Sequence, residues 1–179
     1  MKKTIIYFIM FVVISAIIGA CKSDEDDATT SDTNTCTGTS SGSGPTFGSV
    51  TLEEATYLSS CFASTKYQFE FKNSSSAQYT SYTFDDSSCS GTATSSTSVC
   101  MSSITVSSTT VSKPVYHADN NSQGDNATGY YTTGIYSHNS ATAHMHFSAE
   151  STSVFWYNVS GSQSEVDSNA AYLFKFTKQ

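Results

Sequence analysis

Hydrophobic and polar residues alternate along much of the chain, and the alternation is clearest just after residue 65. Between residues 66 and 72, Tyr67, Phe69 and Phe71 alternate with charged or amide side chains. Successive side chains of a strand point to opposite faces of a sheet, so this segment is predicted to be a strand with one aromatic face. A second alternating run, residues 78–84, follows an Asn/Ser turn, and the two runs are predicted to pair as a hairpin.

Short alternating or β-branched segments continue to the end of the chain. Further strands are predicted over residues 98–106, 111–117, 130–136, 141–149, 154–159 and 171–177. Ser-, Asn-, Asp- and Gly-rich segments that favour turns separate them, and residues 119–129 are predicted to be a loop. About eight such strands indicate an all-β fold, a single antiparallel meander forming a small barrel or sandwich.

One segment ahead of these strands has helical spacing instead. Thr51 and Glu54 have the form of a capping box, and Leu52, Ala55 and Leu58 recur as on one face of a helix. One short N-terminal helix is therefore predicted over residues 52–60.

The beginning of the chain has the layout of a secretion signal. Lys2 and Lys3 precede an almost wholly apolar run over residues 5–18, and the small residues Gly19 and Ala20 follow it. A helix needs about 20 apolar residues to cross a bilayer, so this shorter run is predicted to be a signal peptide over residues 1–20.

Ile18, Gly19, Ala20 and Cys21 resemble the lipobox of bacterial lipoproteins. The resemblance implies cleavage before Cys21 and acylation of this cysteine, hence a lipid-anchored envelope protein. Lys22 follows the cysteine where an aspartate would favour inner-membrane retention, so the outer membrane is the expected location. The alternative is an ordinary secretion signal whose cysteine joins a disulfide.

Residues 21–46 differ from the rest of the chain in being almost free of large apolar side chains. They begin with an acidic run and continue with Thr, Ser, Gly and Asp. Such a segment buries too little apolar area to offset the entropy of ordering it. We expect a flexible lipidated tether here, as a solvated spacer or a sorting signal, and one folded domain over residues 47–179.

The charge of the chain excludes one class of partner. It contains eight lysines, no arginine and fifteen acidic residues, for a net charge of −7. Nucleic-acid binding needs basic patches that neutralise phosphates, so this class is excluded. Aromatic residues make up 13% of the chain, which is too many for a wholly disordered protein.

Four cysteines remain when Cys21 is set aside as acylated. Cys36, Cys61, Cys89 and Cys100 are an even set in an exported chain, which predicts two disulfides. The favoured pairing joins Cys61 to Cys89 and Cys36 to Cys100, and a short loop between Cys89 and Cys100 is the alternative. A zinc site is disfavoured because the chain has no Cys-x-x-Cys pair.

The stretch around the first predicted hairpin carries a second resemblance. A cysteine precedes the aromatic strand, and an Asp-Asp-x-x-Cys turn ending at Cys89 follows the next one. This pattern resembles small lipocalin-like β-domains over residues 58–91, and it implies an up-and-down meander.

His144 and His146 are the candidate metal ligands. Residues two apart in a strand share a face, so both imidazoles can reach one ion, with His138, His117 or Glu150 as a third ligand. The alternative is that Ala143, Met145 and Phe147 face the core while both histidines lie in solvent.

Three other patterns lack the context that their chemistry requires. The G-x-S-x-G match over residues 38–42 lies in the tether and not at a strand–helix turn. The acidic segments 85–86 and 119–125 lack EF-hand spacing. Paired carboxylates at 53–54 and 165–167 are the arrangement that glycosidases use, but nothing in the sequence places either pair in a cleft.

These observations favour a binding protein over an enzyme. Tyr130-Tyr131 and Trp156-Tyr157 each place one ring on either face of a strand, so exposed aromatic residues are expected, as at binding surfaces or plain edge strands. We expect no catalytic residues, no cofactor, and a small apolar ligand or an envelope or host protein as partner. A metal-dependent hydrolase using His144 and His146, or a purely structural lipoprotein, are the alternatives.

Overall fold

A computed structural model describes Cys36 and residues 42–117, 122–168 and 174–179. The predicted signal peptide, the predicted lipidation site Cys21 and most of the predicted tether lie outside these residues. In the described part of the chain no helix is long and apolar enough to cross a membrane.

The described residues form ten strands and one short helix. The strands are β1 (Ser43–Phe47), β2 (Val50–Glu53), β3 (Thr56–Ser59), β4 (Thr65–Asn73), β5 (Ser76–Thr83), β6 (Ser95–His117), β7 (Ser122–Tyr136), β8 (Thr142–Ser151), β9 (Val154–Ser160) and β10 (Phe174–Lys178). The helix is α1 (Gln163–Ser168), in a segment predicted to be a turn.

Strands β3 to β10 form a closed antiparallel barrel. Each strand pairs with the next in sequence, and β10 pairs with β3 to close the sheet. The predicted all-β antiparallel meander is confirmed, and the fold is a barrel rather than a sandwich. Closure gives every strand of the barrel a hydrogen-bonded neighbour on both sides.

The alternation along the strands decides which side chains fill the barrel. In β4, Phe69 and Phe71 are buried inside, while Lys66 and Gln68 lie on the outer face. Six aromatic rings have their centroids 4.9–5.7 Å from that of Phe69: Phe71, Tyr79, Phe147, Phe155, Tyr157 and Phe176. The interior around Phe69 is therefore packed with aromatic side chains.

The helix predicted over residues 52–60 is wrong, because this stretch contains β2 and β3. The Thr51 hydroxyl hydrogen-bonds the Thr46 hydroxyl across the β1–β2 hairpin at 2.9 Å instead of capping a helix. Leu52 is fully buried against the barrel interior. The free energy gained by this burial exceeds the helical preference that the local spacing indicates.

The β1–β2 hairpin closes the end of the barrel that carries the β8–β9 turn. Phe47 stacks on Phe147 with centroids 5.0 Å apart, and the amide of Glu53 donates to the carbonyl of Thr152 at 3.2 Å. This hairpin begins at Ser43, inside the range that was predicted as tether.

Strands β6 and β7 extend well beyond the barrel. The predicted strands 98–106 and 111–117 are one strand, and residues 122–129 of the predicted loop belong to β7. We call residues 107–117 and 122–129 the arm. Val115 and Ala127 of the arm pack on Trp156, which lies on the outer face of β9. The prediction failed because this apolar contact, distant in sequence, stabilises a segment whose local composition favours a loop.

The described cysteines form two disulfides, Cys36–Cys100 and Cys61–Cys89, which is the pairing that the sequence favours. Cys61 lies in the β3–β4 loop and Cys89 in the β5–β6 loop. In a meander both loops lie at the same end of the barrel, opposite the β1–β2 hairpin.

Candidate functional site

The two residues of the predicted metal site lie on strand β8. Strand β8 places His144 and His146 on its outer face, while Ala143, Met145 and Phe147 point into the core as the alternative interpretation predicts. That interpretation also placed both histidines in solvent, which is wrong for His146, since its side chain is fully buried.

The arm and α1 bury His146. Lys113 of the arm donates to the Val166 carbonyl of α1, and the Ser148 hydroxyl of β8 donates to the Thr128 carbonyl of the arm at 2.7 Å. These contacts cover the outer face of β8 and β9, so Trp156 is also buried, and neither ring of the Trp156-Tyr157 pair is exposed.

Among the described residues, Tyr131 contacts both histidines. The Tyr131 hydroxyl hydrogen-bonds Nδ1 of His144 at 2.6 Å, and the Tyr131 ring meets that of His146 edge-on at 5.8 Å. This arrangement is a packed polar cluster under the arm.

The other candidate ligands lie in different surroundings. Glu150 accepts hydrogen bonds from the Trp156 indole and from Lys175, and His138 packs beside Tyr136. The side chain of His117 is outside the described set. Among the side chains that are described, no three His, Cys, Asp or Glu lie together as metal ligands.

The acidic candidates serve the loops in which they lie. Asp86 accepts hydrogen bonds from Ser88 and Ser90, and these bonds, chiefly that from the Ser88 hydroxyl, lower its pKa to about 2. Glu53 pairs with Lys178, which is the main cause of its lowered pKa. Glu54 accepts from the Gly42 amide at 2.7 Å, so the pair at 53–54 does not converge on one point.

Four tyrosines line the barrel interior above Phe69. The ring of Tyr79 stacks on that of Tyr67 with centroids 5.9 Å apart and lies 6.2 Å from that of Tyr157. Tyr136 is close to Tyr79 and to Tyr157. Burial raises the pKa of Tyr79 and Tyr157 well above 10, and the neighbouring phenols add to the rise. All four side chains are therefore neutral at physiological pH.

A concave space lies on the outside of the barrel. We call it the outer groove, and its volume is ≈680 Å³. It lies over the outer faces of β3, β4 and β5, under the β5–β6 loop that Cys89 fastens to Cys61. Its walls are made by half-buried strand residues and by the loop: Leu58, Lys66, Gln68, Tyr82, Phe84, Cys89 and residues 91–96.

A second, smaller concavity of ≈280 Å³ adjoins the outer groove. The two share Leu58 and Lys66, and the smaller one continues across β3 to Lys175 and Thr177 of β10. Lys66 therefore stands between two connected hollows on the outer face.

The β5–β6 loop is held over the groove by several bonds besides the disulfide. The Phe84 amide donates to the Ser64 carbonyl at 2.8 Å, and the Thr94 amide donates to the Thr83 carbonyl at 2.8 Å. The hydrogen bonds to Asp86 tie the middle of the loop together. The walls of the groove are thus fixed in position by bonds within the chain.

The functional groups of the groove are a cation, an amide and two aromatic rings. The Lys66 ammonium lies 5.9 Å from the centroid of the Phe84 ring, a cation–π contact. The Tyr82 hydroxyl donates to Oε1 of Gln68 at 3.2 Å, which orients the amide with its NH₂ available as a donor.

No family model, no curated protein and no solved structure matches this chain.

The residues of the groove were not singled out from the sequence as a site. Lys66 and Gln68 were predicted correctly to lie on the outer face of a strand, and the Cys61–Cys89 pair was favoured. Together these two signals point to a loop fastened near the polar face of β4, although not to a groove of this size.

Proposed function

We propose that the chain is a lipid-anchored, non-catalytic binding protein of the bacterial cell envelope. Ile18, Gly19, Ala20 and Cys21 resemble a lipobox and follow a basic and then an apolar segment. Each buried methylene of an acyl chain contributes about 0.8 kcal/mol, so several chains hold a protein at a membrane. The outer membrane is the proposed location, since Lys22 follows the cysteine.

The observation that carries the binding role is the contrast between the packed interior and the outer groove. Phe69 is fully buried with six rings around it, which leaves little room for a ligand in the middle of the barrel. The outer groove, at ≈680 Å³, lies within the range of small-molecule sites, about 300–1,000 Å³. We therefore propose that ligand binding takes place in the outer groove rather than in the barrel interior.

A purely structural envelope lipoprotein is the second candidate. The same packed interior supports it, because a rigid barrel closed by a hairpin and two disulfides is suited to a coat or spacer. The two candidates differ in whether the outer groove has an occupant.

The anchor is tested with the full chain produced in a bacterium that processes lipoproteins. We expect the protein in the membrane fraction, with a mature N-terminus at Cys21 that carries acyl chains by mass spectrometry. Cys21→Ser is expected to release it into the soluble fraction, while Ser23→Ala leaves it in the membrane. A Cys21→Ser protein that stays with membranes would contradict the anchor, and protease treatment of intact cells reports whether the domain faces outward.

The binding role is tested with the Cys21→Ser chain and isolated envelope fractions. A binding protein should show saturable binding that Phe84→Ala weakens, because Phe84 lines the outer groove. The matched control is Ile135→Ala, which removes a half-buried apolar side chain from the outer face of β7. Absence of saturable binding to every fraction would favour the structural role.

A further inference from the structure

We infer that the outer groove binds an acidic saccharide, with the Lys66 ammonium pairing with a carboxylate on the sugar ring. This inference rests on the proposed binding role and names its ligand class. It starts from three features of the groove: an uncompensated cation, oriented hydrogen-bond donors and a half-buried aromatic surface.

Lys66 differs from the other described lysines on the barrel in its charge environment. Lys72 pairs with Glu70, Lys175 with Glu150 at 3.1 Å, and Lys178 with Glu53. No carboxylate oxygen of the described residues lies within 4 Å of the Lys66 Nζ, whose contact is the Phe84 ring. In a chain with a net charge of −7, this half-buried positive charge favours an anionic group.

The hydrogen-bonding groups beside Lys66 also favour an acceptor-rich ligand. Because Tyr82 donates to Oε1 of Gln68, the Gln68 amide presents its two N–H groups to the groove. The exposed hydroxyls of Thr92, Ser95 and Ser96 can donate or accept, whereas the Thr94 hydroxyl donates to the Thr83 carbonyl at 3.1 Å and can accept from a ligand. Sugar hydroxyls match such a mixed set, since each of them both donates and accepts.

The apolar side chains of the groove are suited to contact the ring of a sugar. Leu58, Tyr82 and Phe84 are half-buried on the outer face, and an aromatic ring beside polar groups suits a ligand with one apolar and one polar side. The C–H face of a pyranose has this character. A purely apolar ligand would instead bury the Lys66 charge without a partner, which costs free energy.

A polyphosphate or nucleic acid fits less well. Such ligands require several cations, whereas the larger hollow contains Lys66 and the smaller one adds Lys175, whose charge is already paired with Glu150. One cation with hydroxyl and amide groups fits a ring that bears a single carboxylate, as in a uronic acid.

The test measures binding of the full-length protein in detergent micelles. The probes are tetragalacturonate, the uncharged tetrasaccharide maltotetraose, and the acidic polysaccharide purified from the envelope of the producing cell. Calorimetry is used for the oligosaccharides and co-sedimentation for the polymer. We expect tetragalacturonate or the envelope polymer to bind, maltotetraose to bind at least tenfold more weakly, and affinity to fall as salt is raised.

The matched pair of variants is Lys66→Gln and Lys72→Gln. Both remove one positive charge from the outer face of β4, but Lys72 lies outside the groove. Lys66→Gln is expected to weaken binding of the acidic ligand about tenfold or more, because a hydrogen bond to a charged group is lost. Lys72→Gln should leave it unchanged, and circular dichroism spectra of both variants should match that of the wild type.

The possible outcomes distinguish an acidic-saccharide site from a site for neutral sugars and from a general effect of charge. Failure of every acidic probe to bind would overturn the ligand class, whatever the membrane fractionation shows. Equal loss in both lysine variants would show that only overall charge matters, and would also overturn it. Tight maltotetraose binding that Phe84→Ala weakens and Lys66→Gln does not would keep the groove as a site for neutral sugars and exclude the acidic class. Binding of the envelope polymer but not of tetragalacturonate would identify the source as the cell's own polysaccharide.

Discussion

Replacing Phe69 with alanine tests whether the barrel interior is as tightly packed as its ring contacts indicate. Phe69 is 0% exposed, and six rings surround it at 4.9–5.7 Å between centroids. Removing a buried phenyl ring costs the lost transfer free energy plus that of the cavity left behind, together about 3–5 kcal/mol. The neighbouring rings belong to five different strands. Because the closed sheet fixes the positions of these strands, the rings cannot collapse into the cavity that Phe69→Ala leaves. We therefore expect Phe69→Ala to lie near the upper end of this range.

The free energy of unfolding is measured by urea denaturation of the full chain, with the fluorescence of Trp156 as the signal. Tyr82→Ala is the matched control, since it removes a ring of similar size from the outer face of the neighbouring strand, and it is expected to cost about 1 kcal/mol. A dry apolar cavity binds benzene, so benzene should restore part of the stability of Phe69→Ala and none in Tyr82→Ala.

A small loss of stability would contradict a tightly packed barrel interior. If Phe69→Ala lowers the free energy of unfolding by less than about 1.5 kcal/mol with an unchanged urea dependence, the interior is loosely filled. An internal ligand cavity would then become the better proposal, and the argument for binding on the outer face would lose its main support.

Three further predictions concern the turn, the loop and the interior tyrosines. Gly48 has a φ of +62°, and a Cβ there would lie 2.0 Å from the Tyr130 hydroxyl. Gly48→Ala should therefore lower the free energy of unfolding, measured by urea denaturation, by about 2–4 kcal/mol. The control is Gly42→Ala, which should cost about 1 kcal/mol, because Gly42 has a φ of +80° but open space around it. The double variant Cys61→Ser/Cys89→Ser opens a link between residues 28 apart and should cost about 3–4 kcal/mol by the chain-entropy model, measured by thermal unfolding with and without reductant. Burial raises the folded-state pKa of Tyr79 above the unfolded value of about 10, so its contribution to stability is complete below pH 10 and is lost as the pH rises further. Urea midpoints measured from pH 9 to pH 11.5 should therefore fall, and they should fall less in Tyr79→Phe.

The contrary results for these three are equally specific. Equal costs for the two glycine variants would mean that Tyr130 moves aside without loss. A Cys61→Ser/Cys89→Ser protein that unfolds at the same temperature as the wild type under oxidising conditions would mean that the Cys61–Cys89 disulfide contributes nothing to stability. An identical alkaline fall in Tyr79→Phe and wild type would mean that Tyr79 is not the group that titrates.

The candidate site was predictable only in its parts. The alternation around Phe69 correctly placed Lys66 and Gln68 on the outer face, and the even cysteine count predicted two disulfides, of which the favoured Cys61–Cys89 pair fastens the loop. The groove itself requires the β5–β6 loop to lie over those side chains, and this depends on where the sheet brings Cys61 and Cys89.

The histidines illustrate the same limit. The spacing of His144 and His146 correctly predicts that they share a strand face, because that follows from the geometry of a single strand. Whether that face is exposed to solvent depends on the arm, which lies more than ten residues away in sequence. The arm buries both His146 and Trp156.

The amino-acid sequence was sufficient to predict a strand-rich fold, the faces of the strands and the presence of two disulfides, because these depend on period-two alternation, residue preferences and an even number of thiols. The tertiary structure alone decided that residues 52–60 are strands, that β6 and β7 extend into an arm, and that the concave space lies outside a packed barrel. In each of these cases apolar side chains that are far apart in sequence are buried against one another. The free energy gained by this burial exceeds that of the helix, loop or exposed face that the local pattern favours.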